Sequence, residues 1–95
     1  MKINTIKVWL IENNKSMKAK ADVSFITDQG EISIKGFRIV QKGDVTFVGG
    51  PQEKYQLKGV MQYKEMLYVD RKFQAFLYSQ ILNEYKKITA TLRVA

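Results

Sequence analysis

Lys54, Tyr55 and Lys58 lie in the stretch PQEKYQLKG, residues 51–59, directly after the di-glycine Gly49-Gly50. Two ammonium groups around a phenol ring can bind a polyanion: each lysine meets a phosphate as a point charge, and the ring stacks on an unpaired base. Pro51 is the chain's one proline. It donates no ladder hydrogen bond, so it ends the preceding strand and opens a loop that presents these side chains. The plainer alternative is a solvated turn in which Tyr55 packs back on a sheet. Lys64, just past the loop, is a further cation. A second group is Lys18 and Lys20, which share one strand face, with Lys35 or Arg38 on a partner strand able to extend it into a basic stripe. Outward charges on a half-exposed sheet also serve solubility alone.

Other chemistry is narrowed by what the sequence lacks. Histidine and cysteine are both absent. That removes imidazole acid-base catalysis, Ser-His and Cys-His nucleophile pairs, disulfides, and thiolate or imidazole metal sites. The nine acidic residues, Glu12, Asp22, Asp28, Glu31, Asp44, Glu53, Glu65, Asp70 and Glu84, show no spacing that forces two onto one face of one element. A carboxylate pair assembled by the fold stays open, but the expectation is a protein that is not an enzyme, with no cofactor and no small-molecule substrate. Sixteen Lys and Arg against nine acids give a net charge of +7. Such a surface attracts polyanions with a strong dependence on salt, although mild basicity also keeps small proteins soluble.

The elements that position these residues follow from periodicity. A chain of 95 residues, 45% hydrophobic and 26% charged, is expected to be a single domain over 1–95 with one modest core. No apolar run approaches a membrane span, and the opening MKINTIKVWLIENN has no signal-peptide apolar region, so a soluble cytoplasmic protein is expected. Residues 3–11 alternate, with Ile6, Val8 and Leu10 on one face and Lys7, Trp9 and Ile11 on the other. After the polar turn Glu12 to Ser16, alternation resumes with Ala19, Ala21, Val23 and Phe25 inward. A turn at Asp28 to Gly30 makes residues 17–41 a hairpin. In its second arm Ile32 and Ile34 have one parity and Phe37 and Ile39 the other, which predicts a β-bulge at Gly36. A turn at 42–44 leads to a short strand through Val45 and Phe47, and a fifth strand is expected within 60–68. From Asp70, placed as a helix cap, Phe73, Phe76, Leu77, Ile81, Tyr85 and Ile88 form a helical stripe, with Lys86 and Lys87 in the last turn and TATLRVA as a frayed tail or short β extension. The class is α+β: about five antiparallel strands followed by one C-terminal helix.

Several stretches, taken in order, resemble the SpoVG (stage V sporulation protein G, septation regulator) family: Met17-Lys18-Ala19, Val23-Ser24-Phe25, Asp28, Phe37-Arg38-Ile39-Val40, Gly43, Phe47-Val48, Pro51 and Asn83-Glu84-Tyr85. The likeness covers most of the chain and rests on order and spacing, since the shared positions are mostly strand hydrophobes and turn glycines. It departs at the loop after the proline, which in the family usually reads like SKRTPDG. Here Gln52 to Lys58 follow Pro51, a basic doublet has become Glu53-Lys54, and the family's downstream HP is missing. The resemblance implies a bacterial, cytoplasmic regulator in sporulation, septation or cell division that binds DNA or RNA as a strand-mediated homodimer. The nucleic-acid contacts would then come from Lys54, Tyr55, Lys58 and Lys64, with Lys18, Lys20, Lys35 and Arg38 on the strands. Trp9, Tyr63, Met66 and Tyr68 are the expected dimer contacts, because an uncovered aromatic strand needs a partner. The rival expectation is a protein-interaction adaptor in cell division that does not bind nucleic acid directly.

Overall fold

The computed structural model describes residues 2–12 and 16–94, with side chains described as far as Thr91. Six strands precede one helix: β1 (Lys2–Leu10), β2 (Met17–Thr27), β3 (Gly30–Lys42), β4 (Val45–Gly49), β5 (Gln52–Leu57), β6 (Val60–Glu65) and α1 (Arg71–Val94). β1 to β4 form an antiparallel sheet in sequential order, and β5 and β6 form a separate two-stranded ribbon. The α+β class, with antiparallel strands followed by a C-terminal helix, is as expected. Part of the expected 12–16 turn lies outside the described residues.

The alternation of β2 creates the core. Ala19, Ala21, Val23 and Phe25 are all buried, and across them on β3 lie Ile39, Phe37, Ile34 and Ile32. That pairing works because Gly36 is an extra residue: Ala21 faces Phe37 whereas Asp22 faces Lys35. The bulge read from the parity switch is therefore present, with Gly36 at φ +96° and its N–H donating to Asp22 Oδ1 at 3.3 Å. α1 covers this face through Leu77 and Ile81, both fully buried, with Phe73, Tyr78, Leu82 and Tyr85 packed around them. Each large buried side chain contributes about 1.5–3 kcal/mol by leaving water. Phe25 meets Phe73 at 5.9 Å between ring centroids, and Phe37 meets Tyr78 edge-on at 6.2 Å.

Asp70 caps the helix as expected, its Oδ1 accepting the Phe73 N–H at 2.9 Å. Two parts of the helix differ from the sequence reading. Phe76 is 52% exposed rather than in the stripe, because one residue back from Leu77 is a rotation of about 100° away from the face that Leu77, Ile81 and Tyr85 share. The 89–94 segment is neither frayed nor extended: α1 continues to Val94, so Lys86 and Lys87 are not in its last turn. Hydroxyls of Thr89 and Thr91 donate back to Tyr85 O and Lys87 O, the turn-by-turn bonding that lets threonine stay helical.

Residues 52–57 are a strand, not a loop. Lys54 pairs with Tyr63 and Tyr55 with Gln62, and the ribbon closes at Leu57 and Val60. Between them Lys58 (φ 52°) and Gly59 (φ 80°) both take left-handed conformations, the geometry of a two-residue type I′ turn. At the base, Met66 N–H donates to Pro51 O at 3.0 Å and Gln52 Nε2 donates to Glu65 Oε1 at 2.6 Å. Pro51 therefore does end β4, but its carbonyl starts a new pairing.

Candidate nucleic-acid interface

The sheet face away from α1 carries a row set by register. Trp9 on β1 is opposite Lys20 on β2, Lys20 is opposite Arg38 on β3, and Arg38 is opposite Gly49 on β4. Paired residues in antiparallel strands share a face, so Trp9, Lys20 and Arg38 are side-by-side neighbours. Gly49 has no side chain for a structural reason. The Arg38 guanidinium lies over it, and a Cβ there would overlap the guanidinium group. Arg38 Nε also donates to Gly50 O at 3.3 Å, which fixes the side chain along the strand end.

Gly50 is buried, and a Cβ on it would stand 2.9 Å from the Tyr78 hydroxyl. The di-glycine thus lets two side chains approach the backbone from two elements, Arg38 from the sheet and Tyr78 from the helix. Burial, followed by the negative charge of Glu65, holds the Tyr78 phenol above its ordinary pKa, with Arg38 pulling the other way. This junction aims the ribbon back across the sheet.

Between sheet and ribbon lies an open cleft of about 580 Å³, lined by Met17, Lys20, Gly36, Arg38, Gln52, Lys54 and Tyr63. Three cations from three strands converge there, and among the described residues the lining includes no carboxylate. Among the described residues the ion pair is Lys87 with Glu84 on α1, at 3.9 Å, so Lys20, Arg38 and Lys54 are not neutralised by a bridge. An anion brought into such a cleft meets three cations together, with the Glu65 and Asp22 carboxylates behind the lining, bonded to Gln52 Nε2 and to the Gly36 N–H.

The remaining site residues separate. Tyr55 and Lys64 belong to the other face of the ribbon, since strand neighbours of Lys54 and Tyr63 point the opposite way. Lys58 is at the ribbon tip. The grouping of Lys54, Tyr55 and Lys58 on one loop surface is therefore corrected: a strand alternates its side chains where a loop need not. Lys18 is half-buried in an irregularity between Met17 and Ala19 and does not line the cleft. Lys35 lies in a neighbouring groove with Lys7, Asp22 and Glu31, where charges of both signs alternate. Of Lys18 and Lys20, with Lys35 or Arg38 extending them, the structure brings Lys20 and Arg38 side by side, because the Gly36 bulge places Lys35 opposite Asp22. Tyr63, expected at a subunit contact, lines the cleft beside Lys54. Met66 and Tyr68 follow the ribbon with 55% and 91% of their surface exposed. The one local hint of the ribbon, and hence of Tyr63, is Gly59, a residue free to take the left-handed conformation of a tight turn.

An antiparallel sheet capped by one helix, with a two-stranded ribbon folded over a cationic cleft, defines a small α+β domain, and no helix among the described residues is long and apolar enough to cross a membrane. The family model of SpoVG matches residues 1–87, and the chain belongs to the SpoVG family, a regulatory family of sporulation and septation that is not known as enzymatic. No curated protein and no solved structure matches it.

Proposed function

We propose that this chain is a nucleic-acid-binding regulator that acts without catalysis, using the cleft between the four-stranded sheet and the ribbon. The observation that carries the reading is the convergence of Lys20, Arg38 and Lys54 in one cleft whose lining, among the described residues, has no carboxylate. Lysine and arginine so placed exchange condensed counterions for protein cations, which makes affinity fall steeply with salt. The test is a gel-shift titration against mixed DNA and RNA at low salt. Retardation that weakens linearly in log affinity against log salt supports the reading, and no retardation at low salt ends it.

The working form is a homodimer. Every residue of β5 and β6 except Gln62 is exposed, including Leu57, Val60 and Met61, and a two-stranded ribbon is marginal alone in water. A second copy covering the ribbon face that bears Tyr55, Leu57 and Val60, with Met66 and Tyr68 at its base, removes that liability and doubles the cationic surface. The same exposed ribbon favours the adaptor reading, in which a division or regulatory protein takes the place of the second copy. Partner capture that resists nuclease and salt supports the adaptor.

A further inference from the structure

We infer that the cleft selects single-stranded nucleic acid over duplex, holding unpaired bases on Trp9 and Tyr63 while Lys20, Arg38 and Lys54 take the phosphates between them. This inference rests on the nucleic-acid reading above. Its basis is the order of side chains along the row. Trp9 begins it, half exposed, directly beside Lys20. Arg38 follows, and across the cleft Lys54 stands paired with Tyr63, whose surface is 57% exposed. An aromatic group therefore stands directly beside a cation on each side: Trp9 beside Lys20 on the sheet and Tyr63 beside Lys54 on the ribbon.

Exposed aromatic rings beside a basic track gain little from a duplex, whose bases are stacked on each other and present only edges in the grooves. Single strands offer free base faces, and stacking on aromatic side chains is the ordinary means of holding them without reading sequence. The Arg38 guanidinium adds to this, since a plane held flat over Gly49 can itself stack on a base as well as bond a phosphate. An open cleft of about 580 Å³ suits an extended strand lying along it, and the lining polar groups, Gln52 among them, can bond exposed base edges.

Trp9 is the only tryptophan of the chain, so it reports on its own contact. The experiment titrates the full chain with a fluorescent oligothymidylate of about eight nucleotides and with a duplex of the same length, following oligonucleotide anisotropy and Trp9 emission together. The expected result is saturable quenching of Trp9 by the single strand and much weaker binding of the duplex. Tyr63→Ala should weaken the single strand about 5- to 100-fold, Tyr63→Phe should restore it, and duplex affinity should change by less than about twofold in both. Equal binding of both forms with Trp9 emission unchanged overturns the track and leaves the nucleic-acid reading standing. Failure of both forms to bind at low salt overturns both readings. Trp9 emission that follows protein concentration instead of oligonucleotide places Trp9 in a subunit contact and also overturns the track.

Discussion

The Arg38 guanidinium rests on the backbone of Gly49, its cross-strand neighbour, in the space where any other residue would carry a Cβ. Gly49 has no left-handed φ, so its backbone accepts alanine without strain. What must yield is the end of a flexible side chain, which swings away and gives up its 3.3 Å bond to Gly50 O. Gly49→Ala is therefore expected to keep its melting temperature within a few degrees while weakening nucleic-acid binding several-fold. Arg38→Lys should resemble it, because an ammonium cannot lie flat on the glycine. Unchanged affinity in both would remove Arg38 from the interface.

The two lysines of residues 51–59 are separable. Lys54 faces the cleft and Lys58 is at the tip of the ribbon. Lys54→Ala should weaken DNA and RNA alike and lower the slope of log affinity against log salt by about one unit. Lys58→Ala should do much less. Lys58→Asn should instead stabilise the ribbon by a few tenths of a kcal/mol, roughly, since asparagine takes the left-handed conformation more readily than lysine. If Lys58→Ala costs as much as Lys54→Ala, the ribbon tip is a phosphate contact and the cleft has been drawn too narrowly.

Much of this architecture is legible residue by residue. Alternation in 17–27 fixes which face of β2 is buried, and the parity change between Ile34 and Phe37 locates the bulge without coordinates. Asp70 and the step from strand to helical spacing locate α1. What is hidden is the ribbon. Its residues Gln52 to Leu57 have too few apolar positions for a burial pattern to register, since no residue of β5 is buried. The site is hidden for a related reason: which cations meet depends on strand register past the bulge and on the fold-back of the ribbon, and the fold-back leaves no spacing in the sequence. The lysines near the proline are legible as candidates, but the partners Lys20 and Arg38 become distinct from Lys18 and Lys35 only through register.

At Gly36 the cost of a side chain lies in the backbone. A Cβ there has only Pro51 within reach, at an ordinary 3.7 Å, whereas φ is +96°. Gly36→Ala should therefore lose about 1–3 kcal/mol in chemical denaturation, from conformational strain rather than a clash. The extra residue also carries the N–H that bonds Asp22. A midpoint equal to the parent's would mean that β3 can re-register without the bulge, and Lys35 would then move relative to Lys20.

Tyr78 links the helix to the di-glycine, and its titration reads that link. Burial first, and Glu65 second, raise its pKa above the usual phenol value. The folded chain thus favours the neutral phenol, so this contribution to stability is whole below the usual tyrosine range. As pH climbs, the unfolded chain ionises first, and the contribution is lost until the folded pKa is passed. In a phenolate absorbance titration one of the five tyrosines should ionise after the others. Glu65→Gln should bring that late step down, and Tyr78→Phe should abolish it and soften the alkaline loss of stability. Five tyrosines that titrate together would show that Tyr78 is not shielded at the junction.

The exposed face of the ribbon offers a test of the homodimer. Leu57 and Val60 are a cross-strand pair on its face away from the cleft, each 57% exposed, and nothing described in the chain covers them. If a second copy does, then Leu57→Lys with Val60→Glu should shift light-scattering mass from dimer to monomer at micromolar concentration. The substituted pair is of opposite charge and directly opposed, so the ribbon keeps a favourable cross-strand contact while its apolar face is lost. The parent's melting temperature should rise with protein concentration and the variant's should not, because only a bound copy stabilises by mass action. Nucleic-acid affinity should fall in the variant as two cationic clefts become one, with the single-cleft affinity retained. A parent that scatters as a monomer across that range would leave the ribbon face to a different protein, and the adaptor reading would gain what the dimer loses.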